Sequence, residues 1–258
     1  MEGPPVLRPI QRQSLADQAF AQLRDRILEN RFRPGEHLPS ERELADILGI
    51  NRSSVREALK RLEQARLIDI RHGEGSIVLD FQKNAGLDLL AHLVAPGGNL
   101  NAVALRSIAE VRLLIAVEIS RLAALRAEDP EIAAAAEIVA RIGKLDEDDL
   151  ASLQALDFEF HYVLARAGQN LALVLIVNSI RDLYAAYSES FAPMFGPLAA
   201  ERDLYRKLLA AIASHETTAA QSICTRLIET GNRAILALCE DAAALSPLSG
   251  RATNHEKE

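Results

Sequence analysis

Tryptophan is absent from the chain and aromatic residues of all kinds make up only 4% of it. With so few rings available, its cores must be built from Ala, Leu and Ile, a supply that suits helices better than sheets. Cysteine is nearly absent too: only Cys224 and Cys239 occur. If both lie on one C-terminal helix, fifteen residues of separation place them about 22 Å apart, too far for a disulfide, so both are expected as reduced thiols. No apolar run of eighteen or more residues and no N-terminal signal-like segment is present. Membrane spanning and secretion are therefore disfavoured, and the cytoplasm is the expected compartment.

What is present is length, and an uneven distribution of charge. The 258 residues exceed the usual single-domain size and can bury two cores. The formal net charge is -7, which on its face argues against a polyanionic partner. Between Arg8 and Val78, however, thirteen basic residues stand against eleven acidic ones, about +2, so the remainder carries about -9. Within Asn51 to Arg66 five basic residues face two acidic ones. A local basic face of this kind neutralises phosphates whatever the global charge.

The segment from Pro39 to Leu79 carries the strongest signal. Ser40 and Glu43 form a Ser-x-x-Glu capping box, which opens a helix near Glu41. Leu44, Ile47 and Leu48 supply its apolar face, and Gly49 is a left-handed stop. Asn51 then caps a second helix running to about Arg66, with Val55, Leu59 and Leu62 inward and Arg52, Ser53, Ser54, Arg56 and Lys60 outward. Two short helices with a Gly-containing turn, the second basic at its start, match a helix-turn-helix whose recognition helix enters a major groove. Alternation in Leu67–Ile70 and Ser76–Leu79, broken by His72-Gly73-Glu74-Gly75, adds a hairpin wing. Arg52 and Arg56 are the candidates for guanine edges or phosphates. A solvated surface hairpin beside an ordinary helical pair is the bland alternative.

From Asp80 to Gly86 the chain reads as a linker. Beyond it the periodicity predicts helices over 88–94, 101–127, 131–142, 147–168, 170–192, 197–214 and 216–243, punctuated by Gly97-Gly98, Pro130, Gly168-Gln169-Asn170 and Pro193 to Pro197. No strand pattern persists, so an all-α bundle able to enclose a central pocket is expected. The expected domains are a winged helix-turn-helix over 14–79, the linker over 80–86 and a helical effector-binding and dimerisation domain over 87–245. The flanks 1–13 and 246–258 are polar or proline-bearing without periodicity and are expected to be unordered.

Two polar intrusions stand on the inward stripes of that bundle. Arg112 interrupts the series Leu105, Ile108, Ile115, Ile119 and Leu122. A buried arginine needs a carboxylate, water or an anionic ligand, and the alternative is a side chain snorkelling from the stripe edge. Asp157 and His161 sit one turn apart beside Leu153, Phe160 and Leu164. That spacing suits either two metal ligands or a hydrogen-bonded pair within the core.

Residues from about Leu15 to Leu79, above all Phe32-Arg33-Pro34-Gly35-Glu36-His37-Leu38-Pro39-Ser40-Glu41-Arg42-Glu43-Leu44-Ala45, resemble the N-terminal domain of the GntR family of bacterial transcription regulators. The resemblance implies DNA contacts from Arg42, Asn51, Arg52, Ser53, Ser54, Arg56, His72 and Gly73. It also implies a homodimer on a short palindromic operator.

Residues 87 to 243 resemble the FCD effector domain of the FadR branch through Arg112, Asp157-x-x-Phe160-His161, the Ala167-Gly168-Gln169-Asn170 break and the last helix pair. Many such domains hold a metal through this Asp and His and two further histidines, and sense small carboxylates there. By register those two positions here are Tyr205 and Leu227, so the ligand set is incomplete and neither metal nor cofactor is expected. The departure implies the metal-free, acyl-CoA-sensing type. Wing residues Ile70-Arg71-His72-Gly73, Ala85-Gly86-Leu87-Asp88-Leu89-Leu90, Tyr205-Arg206-Lys207-Leu208 and Glu229-Thr230-Gly231 are similar to that type. The expected effector site comprises Arg112, Asp157, His161, Tyr205 and Leu227, with a long-chain fatty acyl-CoA as effector. A small-carboxylate sensor and a ligand-free architectural DNA-binding protein are the alternatives. A hydrolase on Asp157 and His161 lacks a nucleophile or a completed metal site.

Overall fold

The computed structural model describes residues 14–71, 73–94, 101–186 and 198–244. The flanks 1–13 and 246–258, and His72 at the wing tip, lie outside the described residues. Two compact units divide the chain, one running to His92 and the other holding the helices from Asn101 onward.

In the N-terminal unit, α1 (Leu15–Leu28) begins at a capping box in which Ser14 and Asp17 satisfy each other's backbone amides. It buries Ala16, Ala19, Leu23 and Ile27, the three- and four-residue spacing of one helical face. A second capping box starts α2 (Glu41–Leu48): Ser40 N–H donates to Glu43 Oε2 at 2.8 Å and Glu43 N–H to Ser40 Oγ at 3.3 Å. Gly49 ends it at φ +66°, a left-handed conformation that glycine adopts without strain. Helix α3 (Arg52–Gln64) is capped by Asn51 and buries Val55, Ala58, Leu59 and Leu62 against α1 and α2. On α2 the expected inward face needs correction. Leu44 and Ala45 are buried, whereas Ile47 is 70% exposed because it falls on the far side of a helix only eight residues long.

Strands β1 (Ile68–Arg71) and β2 (Gly75–Val78) pair antiparallel with Ile68 opposite Val78. The wing has a further edge that alternation did not reveal. Gly35 N–H donates to the Val78 carbonyl, Val78 N–H to the Glu36 carbonyl and Leu38 N–H to that of Ser76, so residues 35–38 run along β2. Pro34 and a Gly35 at φ +88° start this segment, which hides it from a search for alternating strands.

The expected 80–86 linker contains a single helical turn, α4 (Phe81–Asn84), capped by Asp80. The expected helix over 88–94 is instead a 3-10 turn (Leu87–Leu89) running into a second single turn, α5 (Leu90–Leu93). The N-terminal unit extends this far because His92 packs edge-on against Phe20 and accepts Arg24 Nη1 at 2.9 Å.

The regular structure in the described part of the C-terminal unit is all helical: α6 (Ala102–Arg126), α7 (Asp129–Ile142), α8 (Leu150–Ala167), α9 (Leu171–Ala186), α10 (Leu198–Ala213) and α11 (Thr217–Ala244). Helix α6 is the central member, packing against α8, α10 and α11. Pro130, read from sequence as a break, lies inside the first turn of α7, where its missing N–H would have had no partner. Helix α8 starts at Leu150 rather than near 147 because the Asp149 side chain caps it, accepting from Ser152 N–H at 3.1 Å. Cys224 and Cys239 do share α11, and Cys224 is buried and free.

Candidate DNA-reading surface and effector cavity

On the N-terminal unit the outward residues of α3 and the wing flank one cleft, lined by Ser40, Glu41, Arg56, Lys60, Arg71 and Gly73 among others. Asn51 Oδ1 accepts from Ser54 N–H at 2.8 Å and from Ser53 Oγ at 2.6 Å, so three of the predicted residues form a single cap. Arg42 and Arg52 are exposed. Arg56, 61% exposed, forks onto Glu41 with Nε at 3.0 Å and Nη2 at 2.7 Å. That hydrogen-bonded pairing holds the Glu41 carboxyl below its usual range. It also fixes the orientation of a guanidinium that remains largely exposed. Sequence reading placed Arg56 on this surface but missed Glu41, fifteen residues away and inconspicuous at a helix start. Gly73 and Gly75 take φ values of +82° and +90°, which only glycine tolerates freely at so tight a tip.

The second site is buried in the helical unit, where Arg112 from α6 faces inward with its side chain 12% exposed. Its Nη2 lies 3.7 Å from Asp157 Oδ2 and its Nη1 3.4 Å from Asn232 Oδ1. Asp157 is the hub: Tyr205, fully buried, donates its hydroxyl to Oδ1 at 2.6 Å, and His161 Nδ1 approaches the same oxygen at 3.1 Å. Asn232 is itself fixed by a 2.8 Å bond to the Ala109 carbonyl. Three helices therefore meet on one carboxylate, and a fourth, α11, reaches it through the Asn232–Arg112 bond. Leu227, predicted alongside these residues, is a buried core side chain that brings no polar group to the cluster.

Burial works against the charge on each member of the central pair, and their mutual attraction overcomes it. For His161, the Asp157 charge and hydrogen bond, with Cys224 beside the ring, raise the pKa to about 10. For Asp157, the His161 cation, Arg112 and the Tyr205 hydroxyl lower it to about 2. Burial and the adjacent carboxylate push Tyr205 well above the ordinary phenol value, so it stays a donor. Both shifts favour the ion-paired form of His161 and Asp157 at neutral pH, beside the Arg112 guanidinium. His161 Nε2 is buried and has no hydrogen-bond partner among the described residues.

A pH dependence follows from these directions. The folded His161 value lies above its ordinary 6.5, so its stabilisation is complete below pH 6.5 and is lost as pH rises toward 10. The folded Asp157 value lies below 3.8, so its share is present above pH 3.8 and is lost as pH falls toward 2. The gap in melting temperature between wild type and His161→Gln should therefore narrow from pH 6 to 9.5. A gap of constant size would rule out a protonated His161.

The cluster forms one wall of a cavity whose remaining lining is apolar: Ile115 and Ile119 from α6, Phe158 from α8, Val177 and Ile180 from α9, and Ile228 from α11. Its volume is about 50 Å³. That is far below the roughly 300 Å³ at which ordinary ligand pockets begin. A metal does not fit the donor set. The Asp157 oxygens are already engaged by Tyr205, His161 and Arg112, Leu227 offers no ligand atom, and no group of three His, Cys, Asp or Glu suited to a metal occurs among the described residues.

A winged helix-turn-helix joined to an all-helical unit, whose mostly apolar cavity has one charged wall, defines a DNA-binding regulator carrying an effector domain. Residues 15–78 match the model described as bacterial regulatory proteins, gntR family, and residues 107–230 match the FCD domain. The chain belongs to the GntR family of transcriptional regulators, with an FCD effector domain, and is not an enzyme.

The HTH-type transcriptional regulator Mce2R of Mycobacterium tuberculosis is 38% identical over 240 residues, covering 93% of this chain and 99% of the relative. A fatty acid metabolism regulator protein of Shewanella amazonensis is 34% identical over 162 residues, 62% of this chain and 64% of the relative. Among solved structures, that of Lar, which controls the agr system of Listeria monocytogenes, superposes with a TM-score of 0.54 at 18% identity, over 92% of this chain and all of that one. This last likeness is one of fold alone. Among the described residues no helix is long and apolar enough to cross a membrane.

Proposed function

We propose that this chain acts in the cytoplasm as a homodimeric regulator that grips a short palindromic operator and lets go when an anionic acyl ligand, a long-chain fatty acyl-CoA, enters the FCD cavity. On the N-terminal unit, Arg52 and Arg56 read base edges, and Arg42, Asn51, Ser53 and Ser54 hold the backbone. His72 and Gly73 carry the wing to the adjacent minor groove. In the cavity Arg112 and the His161 Nε2 hydrogen meet the negative group of the ligand, while Tyr205 keeps Asp157 oriented.

The single observation that carries this reading is the make-up of the cavity: the Arg112 guanidinium and the His161 ring share one buried carboxylate against an apolar wall. Such a wall accepts an alkyl chain, and the surplus cation accepts an anion. The relatives named as fatty acid metabolism regulators support the same choice. A long chain requires the cavity to enlarge. Helix α9 supplies Val177 and Ile180 to the wall and is the element we expect to shift. The present small volume favours a second reading, a small carboxylate held by Arg112 and His161.

One set of melts separates the two. Oleoyl-CoA should raise the melting temperature and release DNA, with CoA alone, lactate and citrate doing neither, and EDTA should leave the melt unchanged. Lactate or citrate acting while oleoyl-CoA is silent would install the small-carboxylate reading. Stoichiometric zinc with chelator-sensitive stability would overturn the metal-free site.

A further inference from the structure

Helix α9 is thinly held. Among the described elements only α8 packs against it to any extent, and of its described side chains only Val177 is buried, while Leu171 and Leu175 are 72% and 56% exposed. Elements with so few buried contacts are the first to open. Its start is nonetheless tied down. Arg126 Nη1 donates to the Gly168 carbonyl at 2.8 Å and Gln169 Nε2 to the Arg126 carbonyl at 3.4 Å, while Asn170 Oδ1 accepts from Ala172 N–H at 3.1 Å and from Leu173 N–H at 3.3 Å.

A second attachment follows ten residues after Leu171, about 15 Å along the axis. There Arg181 reaches over α8, its Cζ 5.3 Å from the centre of the Phe158 ring and 5.4 Å from that of Tyr162. The two rings are one turn apart, so they lie side by side on one stripe of α8. Asn178 Oδ1 accepts from Arg181 Nη2 at 2.6 Å and steadies the guanidinium from its own helix. A guanidinium over ring faces is held by the ring quadrupole and by dispersion. Phe158 and Ile180, the residue just before Arg181, both line the effector cavity. The attachment therefore stands at the edge of the cavity wall.

We propose that Arg181 is a positioning residue of the effector cavity: stacked on Phe158 and Tyr162 it holds α9 shut, and an entering acyl chain swings α9 about its tied start and lifts the guanidinium off the rings. The inference rests on the acyl-ligand reading above and names the contact that must break. Val177 and Ile180 lie between the tie and the clasp, so a swing that frees Arg181 also carries both side chains away from the cavity. Loosening the clasp raises the share of the open arrangement. Because the ligand binds that arrangement, its apparent affinity rises by the same factor, about three- to tenfold for contacts of this kind. A residue with a merely structural role would weaken binding when removed; this one strengthens it.

Two variants of the full-length protein break the clasp from opposite sides. Arg181→Met removes the cation and keeps an apolar stem; Tyr162→Leu removes one ring and keeps the cation. Without ligand, amide hydrogen exchange across residues 171–181 should quicken about three- to tenfold in both, with α8 unchanged. Arg181→Lys should fall between Arg181→Met and wild type, because an ammonium keeps the charge but stacks poorly. Arg141→Ala, which breaks the exposed pair with Glu159 elsewhere on α8, should match wild type. Oleoyl-CoA should then bind Arg181→Met and Tyr162→Leu more tightly by the same factor. The tighter binding of Tyr162→Leu, in which the charge of Arg181 persists, separates release of the clasp from any attraction between that charge and the phosphates of the ligand. Unchanged exchange in both variants would overturn the clasp, whatever the ligand. Faster exchange with oleoyl-CoA bound no more tightly would overturn its part in ligand entry. Oleoyl-CoA that fails to bind any form, wild type included, would overturn the acyl-chain reading and leave the clasp standing.

Discussion

Replacing Asp157 by alanine should lower the stability of the protein by about 3 to 5 kcal/mol, the usual consequence of stranding a buried charge. The substitution leaves the Arg112 charge buried without this carboxylate, takes away the group that holds His161 protonated, and removes the acceptor of the Tyr205 hydroxyl, so three polar groups lose their bond to Asp157 together. Chemical denaturation would show this as a fall in midpoint with an unchanged slope. Asp157→Asn keeps an acceptor for Tyr205 but not the charge, and should fall between wild type and alanine. If Asp157→Ala loses under 1 kcal/mol, the cluster is solvated and the effector site has to be sought elsewhere.

The second large effect belongs to the DNA. Arg52→Ala and Arg56→Ala should each weaken binding to a palindromic site selected from random duplexes by about 1 to 3 kcal/mol, with helical content and melting temperature unchanged. Stability is spared because the Arg56–Glu41 pair is well exposed, with side chains 61% and 36% accessible, and such pairs contribute little to folding. Arg56→Ala should be the more damaging of the two. It deletes a donor and also leaves Glu41 unneutralised beside the phosphates, so adding Glu41→Gln should restore part of the loss. Unchanged affinity in both arginine variants would sink the assignment of α3 as the reading helix.

How far these sites were legible depended on the reach of each interaction along the chain. The Ser40–Glu43 capping box, the Asn51 cap and the Gly49 stop span three residues or fewer, and their chemistry is written in adjacent letters. Arg112 was conspicuous because it breaks an apolar series on its own helix, and Asp157 and His161 because they are a turn apart. The hydrogen bond between Tyr205 and Asp157 joins residues 48 apart, and nothing local in either helix announces it. The same holds for Asn232, 120 residues from the arginine it meets. Pro130 misled because proline breaks a helix interior but suits a first turn, and only the position of the boundary decides which applies. The edge segment at 35–38 was missed because its pairing is with a strand forty residues later.

The smallness of the cavity has its own consequence. A chamber that fitted its ligand equally well in every arrangement of the protein would leave occupancy without a message. A chamber of about 50 Å³ cannot do this. Any guest larger than a few atoms must select a rarer, wider conformer, and its affinity is diluted by how seldom that conformer occurs. Mutations that trim the wall, such as Ile180→Ala, would then act in two opposite ways at once, tightening the grip on the guest while weakening the signal it sends.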